Sequence, residues 1–361
     1  MKTKPFLGQG CVIAMMLLCL FSCEKSDTPL AAYKYPFSWE SLPKNFPLVA
    51  PFPDNPQTKE GVELGRMLFF DVALSGANDI SCGSCHQPEK YFSDGIPRTN
   101  IGADKSTLHR HTPVIFNMAW QNNGLFWDGG ARNLESLSVA PITSIHEMNQ
   151  DLKQLSSELQ NRYDYKERFE RAFPDKKIST QNILRALAQY QRAIISANSR
   201  YDKFVRNEGE RLSALELKGL HFFEQHCRRC HSTDLFTDTQ FHNNGLDSVF
   251  SEEHERIAFG HGRVSFDSKD IGKYKTPSLR NVARTAPYMH DGRFSTLQEV
   301  LQHYVNGMKY SPTIDEGFRR ADGTYGIALS KEEQEAIIAF LHTLTDEDFL
   351  KNPLIQNPFK H

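Results

Sequence analysis

The pentapeptide Cys-x-x-Cys-His occurs twice, as Cys82-Gly83-Ser84-Cys85-His86 and as Cys227-Arg228-Arg229-Cys230-His231. Two cysteines at this spacing reach both vinyl groups of one porphyrin. The next residue then turns its imidazole onto the iron, which makes this the attachment pattern of a c-type haem. A single copy has competitors, since Cys-x-x-Cys also serves as a thiol redox pair or as half of a zinc site. A redox pair does not need the histidine. A zinc site built from both motifs leaves the matched places of His86 and His231 without a reason. Two covalently bound c-type haems are therefore expected.

The remaining cysteines agree with an exported chain. Lys2 and Lys4 precede the apolar run Cys11–Phe21, which has the length of a signal-peptide core and is too short to span a bilayer comfortably. Leu20-Phe21-Ser22-Cys23 resembles a bacterial lipoprotein cleavage site. Residues 1–23 are read as a lipoprotein signal peptide, with Cys23 lipidated in the periplasm or cell envelope. Ordinary secretion with later cleavage is the alternative. Of the seven cysteines, Cys11 and Cys19 leave with the signal and Cys23 carries the lipid. That leaves four, all in the two motifs, and no pair for a disulfide. The formal charge of −2 offers no basic field for nucleic acid.

The hydrophobic pattern predicts a mostly α fold of two cytochrome c-like domains, each around one c-type haem, with long loops. Residues 24–45 read as a tether, 46–207 as the N-terminal haem domain, 208–350 as the C-terminal one and 351–361 as a tail. Ile183, Leu184, Leu187, Tyr190 and Ile194 predict one long helix from Ser179 to about Phe204. Asn207-Glu208-Gly209-Glu210 breaks the pattern. Ser213–Glu216, Thr296–Glu299 and Ser330–Glu333 are capping boxes. The first opens a helix with Leu217, Leu220 and Phe223 that runs into the second motif. The last opens a helix with Ala336, Ile337, Phe340 and Leu341 as its buried stripe. Leu297, Val300, Leu301 and Tyr304 fall on one helix face, with Gly307 as its stop. No internal repeat is visible beyond the two motifs.

Longer strings carry a family resemblance. They are Gly83-Ser84-Cys85-His86-Gln87-Pro88, Phe92-Ser93-Asp94-Gly95, Thr112-Pro113-Val114-Ile115-Phe116-Asn117 and Phe126-Trp127-Asp128-Gly129-Gly130-Ala131. Thr276-Pro277-Ser278-Leu279-Arg280-Asn281-Val282 and Thr285-Ala286-Pro287-Tyr288-Met289-His290-Asp291-Gly292 follow. Over about residues 50–345 the chain resembles the bacterial di-haem cytochrome c peroxidase and MauG family.

The resemblance implies a peroxidatic haem at Cys82/Cys85 with His86 on its iron. It implies an electron-transfer haem at Cys227/Cys230 with His231 on its iron. Trp127 matches the tryptophan between the haems, Glu147 the distal carboxylate that moves protons, and Pro141 a proline of the same pocket. Peroxidases of the family place a second histidine where Ala103 stands, and His109 and His111 are out of register with it. The first haem is thus expected to be open, as in MauG. The far ligand of the second haem falls on Tyr304, with Met289 as the rival by chemistry. Calcium is implied at the carbonyls of Thr285 and Pro287, but its third ligand falls on His111, and calcium prefers oxygen. Gln225 replaces the surface tryptophan that MauG uses on its protein substrate.

These matches imply reduction of hydrogen peroxide to water, with electrons from a small cytochrome c or another reductant, in a chain that pairs as a homodimer. A MauG-like oxidase of a protein or organic substrate is the second reading, and a non-enzymatic electron carrier the third. Each residue also has a plainer role. Trp127 alone reads as a core aromatic, Glu147 as a solvated carboxylate, Tyr304 as a core tyrosine, and His290 as a hydrogen-bonding neighbour of the second haem.

Overall fold

A computed structural model describes residues 42–162 and 165–360. The expected signal segment, Cys23 and most of the expected tether lie outside them. The described part belongs to one compact unit, Tyr35–His361.

Two helix pairs organise it. Helix Lys59–Phe70 starts where the Thr58 side chain accepts from the Gly61 N–H at 3.0 Å. It buries Val62, Leu64, Leu68 and Phe69 and crosses helix Thr180–Ala193, which buries Ile183, Ala186, Leu187 and Tyr190. The contact point is Gly65. A Cβ there would lie 1.9 Å from the Ala186 carbonyl oxygen and 2.8 Å from Tyr190 Cβ, so only glycine lets the two backbones approach.

The second pair repeats this crossing. Helix Ala214–His226 meets helix Lys331–His342 at Gly219. A Cβ on Gly219 would lie 1.9 Å from the Ala336 carbonyl oxygen and 2.8 Å from Phe340 Cβ. Both expected capping boxes form. Ser213 and Ser330 accept from the N–H of Glu216 and Glu333 at 3.3 and 3.2 Å, and both carboxylates accept in return at 2.7 Å. Around Phe340 gather Tyr201, Phe223 and Phe236. Burying one such ring is worth roughly 1.5–3 kcal/mol.

The repeat extends into the loops, which corrects the expectation of none beyond the two motifs. Each half carries Thr-Pro followed by an asparagine in the left-handed region, Asn117 at φ 58° and Asn281 at φ 56°. Asn117 N–H donates to the Ile194 carbonyl at 2.8 Å, and its side chain accepts from Ser196 N–H at 2.9 Å. Asn281 N–H donates to the Leu344 carbonyl at 3.1 Å, and its side chain accepts from Asp346 N–H at 2.8 Å. The halves also exchange bonds crosswise. His111 N–H donates to the His290 carbonyl and Lys275 N–H to the Trp127 carbonyl, both at 2.8 Å. The only strands among the described residues are the antiparallel pair Phe241–His242 and Tyr274–Lys275.

Three expectations are corrected. The long helix after Ser179 ends at Ala193 and restarts as Arg200–Val205. Asn117 pairs with the backbone of Ile194 and Ser196, and Asp346 accepts from the N–H of Ala197 and Asn198. Those bonds cannot coexist with helix, and Ser199 then caps the new segment with Asp202. Leu217 is 44% exposed, because the face of its helix is set by Gly219 and Phe223. The last residues are not a free tail. Leu354 and Ile355 are buried, the Gln356 carbonyl accepts from Arg66 Nε at 2.9 Å, and Phe349 stacks on Tyr91 in the first half.

Candidate functional site

The first motif folds as one helical turn, Cys82–Cys85, separated from the first helix by the short turn Val72–Leu74 and a loop. Gly83 presses on Phe70, and a Cβ there would fall 2.5 Å from that ring. All four motif cysteines are free. Burial pushes the Cys82, Cys85 and Cys227 thiols up to about 12, the reverse of what a thiol redox pair needs. Among the described residues no cluster of metal-binding side chains joins the two motifs, which removes the shared zinc site.

Each motif histidine is aimed by backbone. His86 Nδ1 faces the Phe92 carbonyl at 3.3 Å, and His231 Nδ1 faces the Phe236 carbonyl at 3.0 Å. A carbonyl accepts, so Nδ1 carries the proton and Nε2 keeps its lone pair for a metal. Pro113 and Pro277, from the two Thr-Pro segments, hold the same rings. Burial lowers the pKa of both histidines, keeping them neutral as ligation requires. Two thiols and one oriented imidazole at each motif fit a haem.

Over the first motif sits Glu147. Its charge acts on both Cys82 and Cys85, and burial raises its own pKa, opposed by His146. Pro141 belongs to the same fold of chain, its carbonyl accepting from Met148 N–H at 3.0 Å. Ala103 packs here too, donating its N–H to the Glu147 carbonyl at 2.8 Å. The place where a histidine would intrude is thus a methyl group. His109 is engaged elsewhere, its ring tilted against that of His254 at 4.3 Å. The His111 ring is bound to the Ile96 carbonyl at 2.8 Å.

Trp127 lies between the halves. Its indole N–H donates to the His111 carbonyl at 2.9 Å, and its own carbonyl accepts from Lys275. His111 and Lys275 immediately precede the two Thr-Pro segments that hold His86 and His231. Trp127 therefore touches the backbone support of both motifs.

Near the second motif the structure brings both rival ligands together. Asn244 Nδ2 lies 3.4 Å from the Tyr304 hydroxyl and 3.7 Å from Met289 Sδ. Burial pushes the Tyr304 phenol up to about 12, with Cys230 and Cys227 adding to the effect. The helix Leu297–Gln302 does not carry Tyr304 as the spacing predicts. It passes into a π-helical turn, His303–Gly307, which holds Tyr304. Such turns re-aim side chains and recur at functional sites. Asn244 escaped the sequence reading, because Asn243-Asn244-Gly245 signals only a turn. Gln225 is exposed beside His221.

The family model for di-haem cytochrome c peroxidase matches residues 59–210. The methylamine utilization protein MauG of Methylophilus methylotrophus is 36% identical over 296 residues, spanning 80% of this chain and 84% of that protein. The cytochrome c551 peroxidase of Nitrosomonas europaea is 29% identical over 302 residues, spanning 83% and 84%. A crystal structure of a MauG-like protein associated with microbial copper homeostasis matches with a TM-score of 0.78 and 31% identity, over 90% of this chain and 99% of that one. With the MauG relative matching at this identity over four fifths of the chain, the chain belongs to the di-haem cytochrome c peroxidase family.

Proposed function

We propose that this oxidoreductase reduces hydrogen peroxide to two waters at the Cys82/Cys85 motif, drawing electrons through the Cys227/Cys230 motif. The observation that carries the reading is Glu147, a carboxyl raised by burial beside the first motif, with Ala103 rather than an imidazole next to it. Both haems are covalent, on Cys82/Cys85 and Cys227/Cys230, with His86 and His231 on the irons. When bound, they supply the electron storage that peroxide reduction requires.

The chain supplies the rest. Glu147 takes a proton from one peroxide oxygen and returns it to the other, work worth about 10²- to 10⁴-fold. Burial raises its pKa, which makes it a stronger base for the first transfer than an exposed carboxylate. Pro141 and Ala103 keep the pocket apolar and free of a competing base. Trp127, bonded to both halves, is the bridge for electrons. Tyr304 would be the residue that ligates the second haem, since its hydroxyl is buried and accepts from Asn244; Met289 is the neighbour that would replace it. Calcium at Thr285 and Pro287 lacks an oxygen-bearing side chain at His111, so no step is assigned to it. The protein is exported, anchored in the envelope by a lipid on Cys23, acts as a homodimer, and accepts electrons from a small cytochrome c or another reductant.

A MauG-like oxidase is the second reading, favoured by Ala103 and Tyr304 and weakened by Gln225. The decisive measurement is the electron paramagnetic resonance spectrum of the ferric protein before and after peroxide. One high-spin signal that changes with peroxide, together with peroxide-dependent oxidation of reduced cytochrome c, is the expected result. Two low-spin centres inert to peroxide would overturn it.

A further inference from the structure

We infer that a cavity beside Tyr304 binds a small phenolic electron donor of the hydroquinone class, an inference that rests on the peroxidase reading above. The cavity measures about 660 Å³ and is lined by Met308, Tyr310, Arg319, Arg320 and Tyr325, among others. That volume lies in the range of small-molecule sites. The rings of Tyr310 and Tyr325 stand 5.8 Å apart on its wall, a spacing suited to edge or offset contact with a third ring. Tyr310 is 64% exposed, so its ring is open to a ligand from solvent.

The chemistry of the wall selects an oxygen acceptor. Arg320 Nε is buried and has no hydrogen-bond partner, although the same guanidinium holds the Val305 and Ile327 carbonyls through Nη2. A buried donor left unpaired is costly, and a phenolic oxygen would satisfy it. Two arginines against one carboxylate, Asp322, also favour a ligand with electron-rich oxygen over a cation.

The position selects a reductant. The turn that carries Tyr304 continues into the cavity wall through Asn306 and Met308. Ile327 N–H donates to the Tyr304 carbonyl at 2.7 Å, and a Cβ on Gly326 would touch that same oxygen at 3.0 Å. Phe318 lies 5.9 Å from the Tyr304 ring. The donor's seat thus borders the turn that carries Tyr304, through Asn306 of that turn. The balance is simple. The hydroquinone loses two electrons and two protons and becomes the quinone, its O–H bonds breaking. Peroxide gains both electrons and both protons, its O–O bond breaking, and becomes two waters.

The test uses the di-ferric holoprotein mixed anaerobically with trimethylhydroquinone, following reduction of the second haem optically, without peroxide. The rate should saturate with donor concentration. In a Tyr310→Ala, Tyr325→Ala double variant whose ferric spectrum matches the parent, half-saturation should rise at least tenfold. A rate linear in donor, or an unchanged half-saturation in the variant, overturns the site. Because no peroxide enters this experiment, its outcome is independent of whether the peroxidase reading itself holds.

Discussion

The surroundings of the two motifs are built on one plan and finished differently. Gly65 against Ala186 and Tyr190 repeats as Gly219 against Ala336 and Phe340. Asn117 repeats as Asn281, and the carbonyls behind His86 repeat behind His231. What covers each motif does not repeat. The first has Glu147 and the backbone of Ala103, a carboxyl with no side chain that ligates iron well. The second has Tyr304 and Met289 meeting at Asn244. The scaffold places an oriented imidazole at each motif, and the loops after it bring a carboxyl to the first and a phenol and a thioether to the second.

The largest break in this comparison is expected from Glu147→Gln, which should slow peroxide turnover by about 10²- to 10⁴-fold. Tyr304→Met, its counterpart in the second region, should instead shift the potential of one haem and spare peroxide cleavage. Spectroelectrochemistry beside steady-state assays separates the two, and equal losses in turnover would erase the distinction. The same Glu147 variant carries a pH signature. Burial raises the folded pKa of Glu147, so its contribution to stability is present in acid and lost as pH rises through that raised value. The amide that replaces the carboxyl does not titrate, so the variant should melt higher than the parent toward neutral pH and not in acid.

Next in size is Arg280, which occupies in the second Thr-Pro segment the place Phe116 takes in the first. Arg280 and Asp202 are 1% and 0% exposed and pair at 2.6 and 2.8 Å. Burial pushes Asp202 up, yet its bonds to Arg280 leave it lowered overall. Arg280→Met strands that carboxylate and should cost about 3–5 kcal/mol, read by denaturant melts, whereas Phe116→Met should cost far less. Gly65→Ala and Gly219→Ala should each cost about 1–3 kcal/mol, and unequal losses would show that the crossings are not equivalent. Smallest are Ser213→Ala and Ser330→Ala, each worth about 1 kcal/mol.

The sequence was informative where a few adjacent residues suffice. Its motifs, its capping boxes and its last helix stand as read. The helix break at Ile194 was not legible, because the side chain that causes it, Asn117, is distant in sequence. The π-helical turn under Tyr304 was hidden for a similar reason. Arg320 and Ile327 donate to the Val305 and Tyr304 carbonyls from a later loop. Part of the repeat stood in the sequence as Thr-Pro-x-x-x-Asn at 112–117 and 276–281, while the rest, the backbone approach at Gly65 and Gly219, shows only in the folded chain.

By itself the sequence determined two Cys-x-x-Cys-His motifs and a mostly helical chain, since motif spacing and helix capping are local chemistry, while the candidate set Trp127, Pro141, Glu147, Tyr304 and Met289 came from the likeness of longer strings to a family. Only the tertiary structure decided which of these meet. The crosswise bonds of His111 with His290 and of Lys275 with Trp127 join groups far apart in the chain. Such contacts depend on how two folded halves dock, and no run of neighbouring residues encodes that.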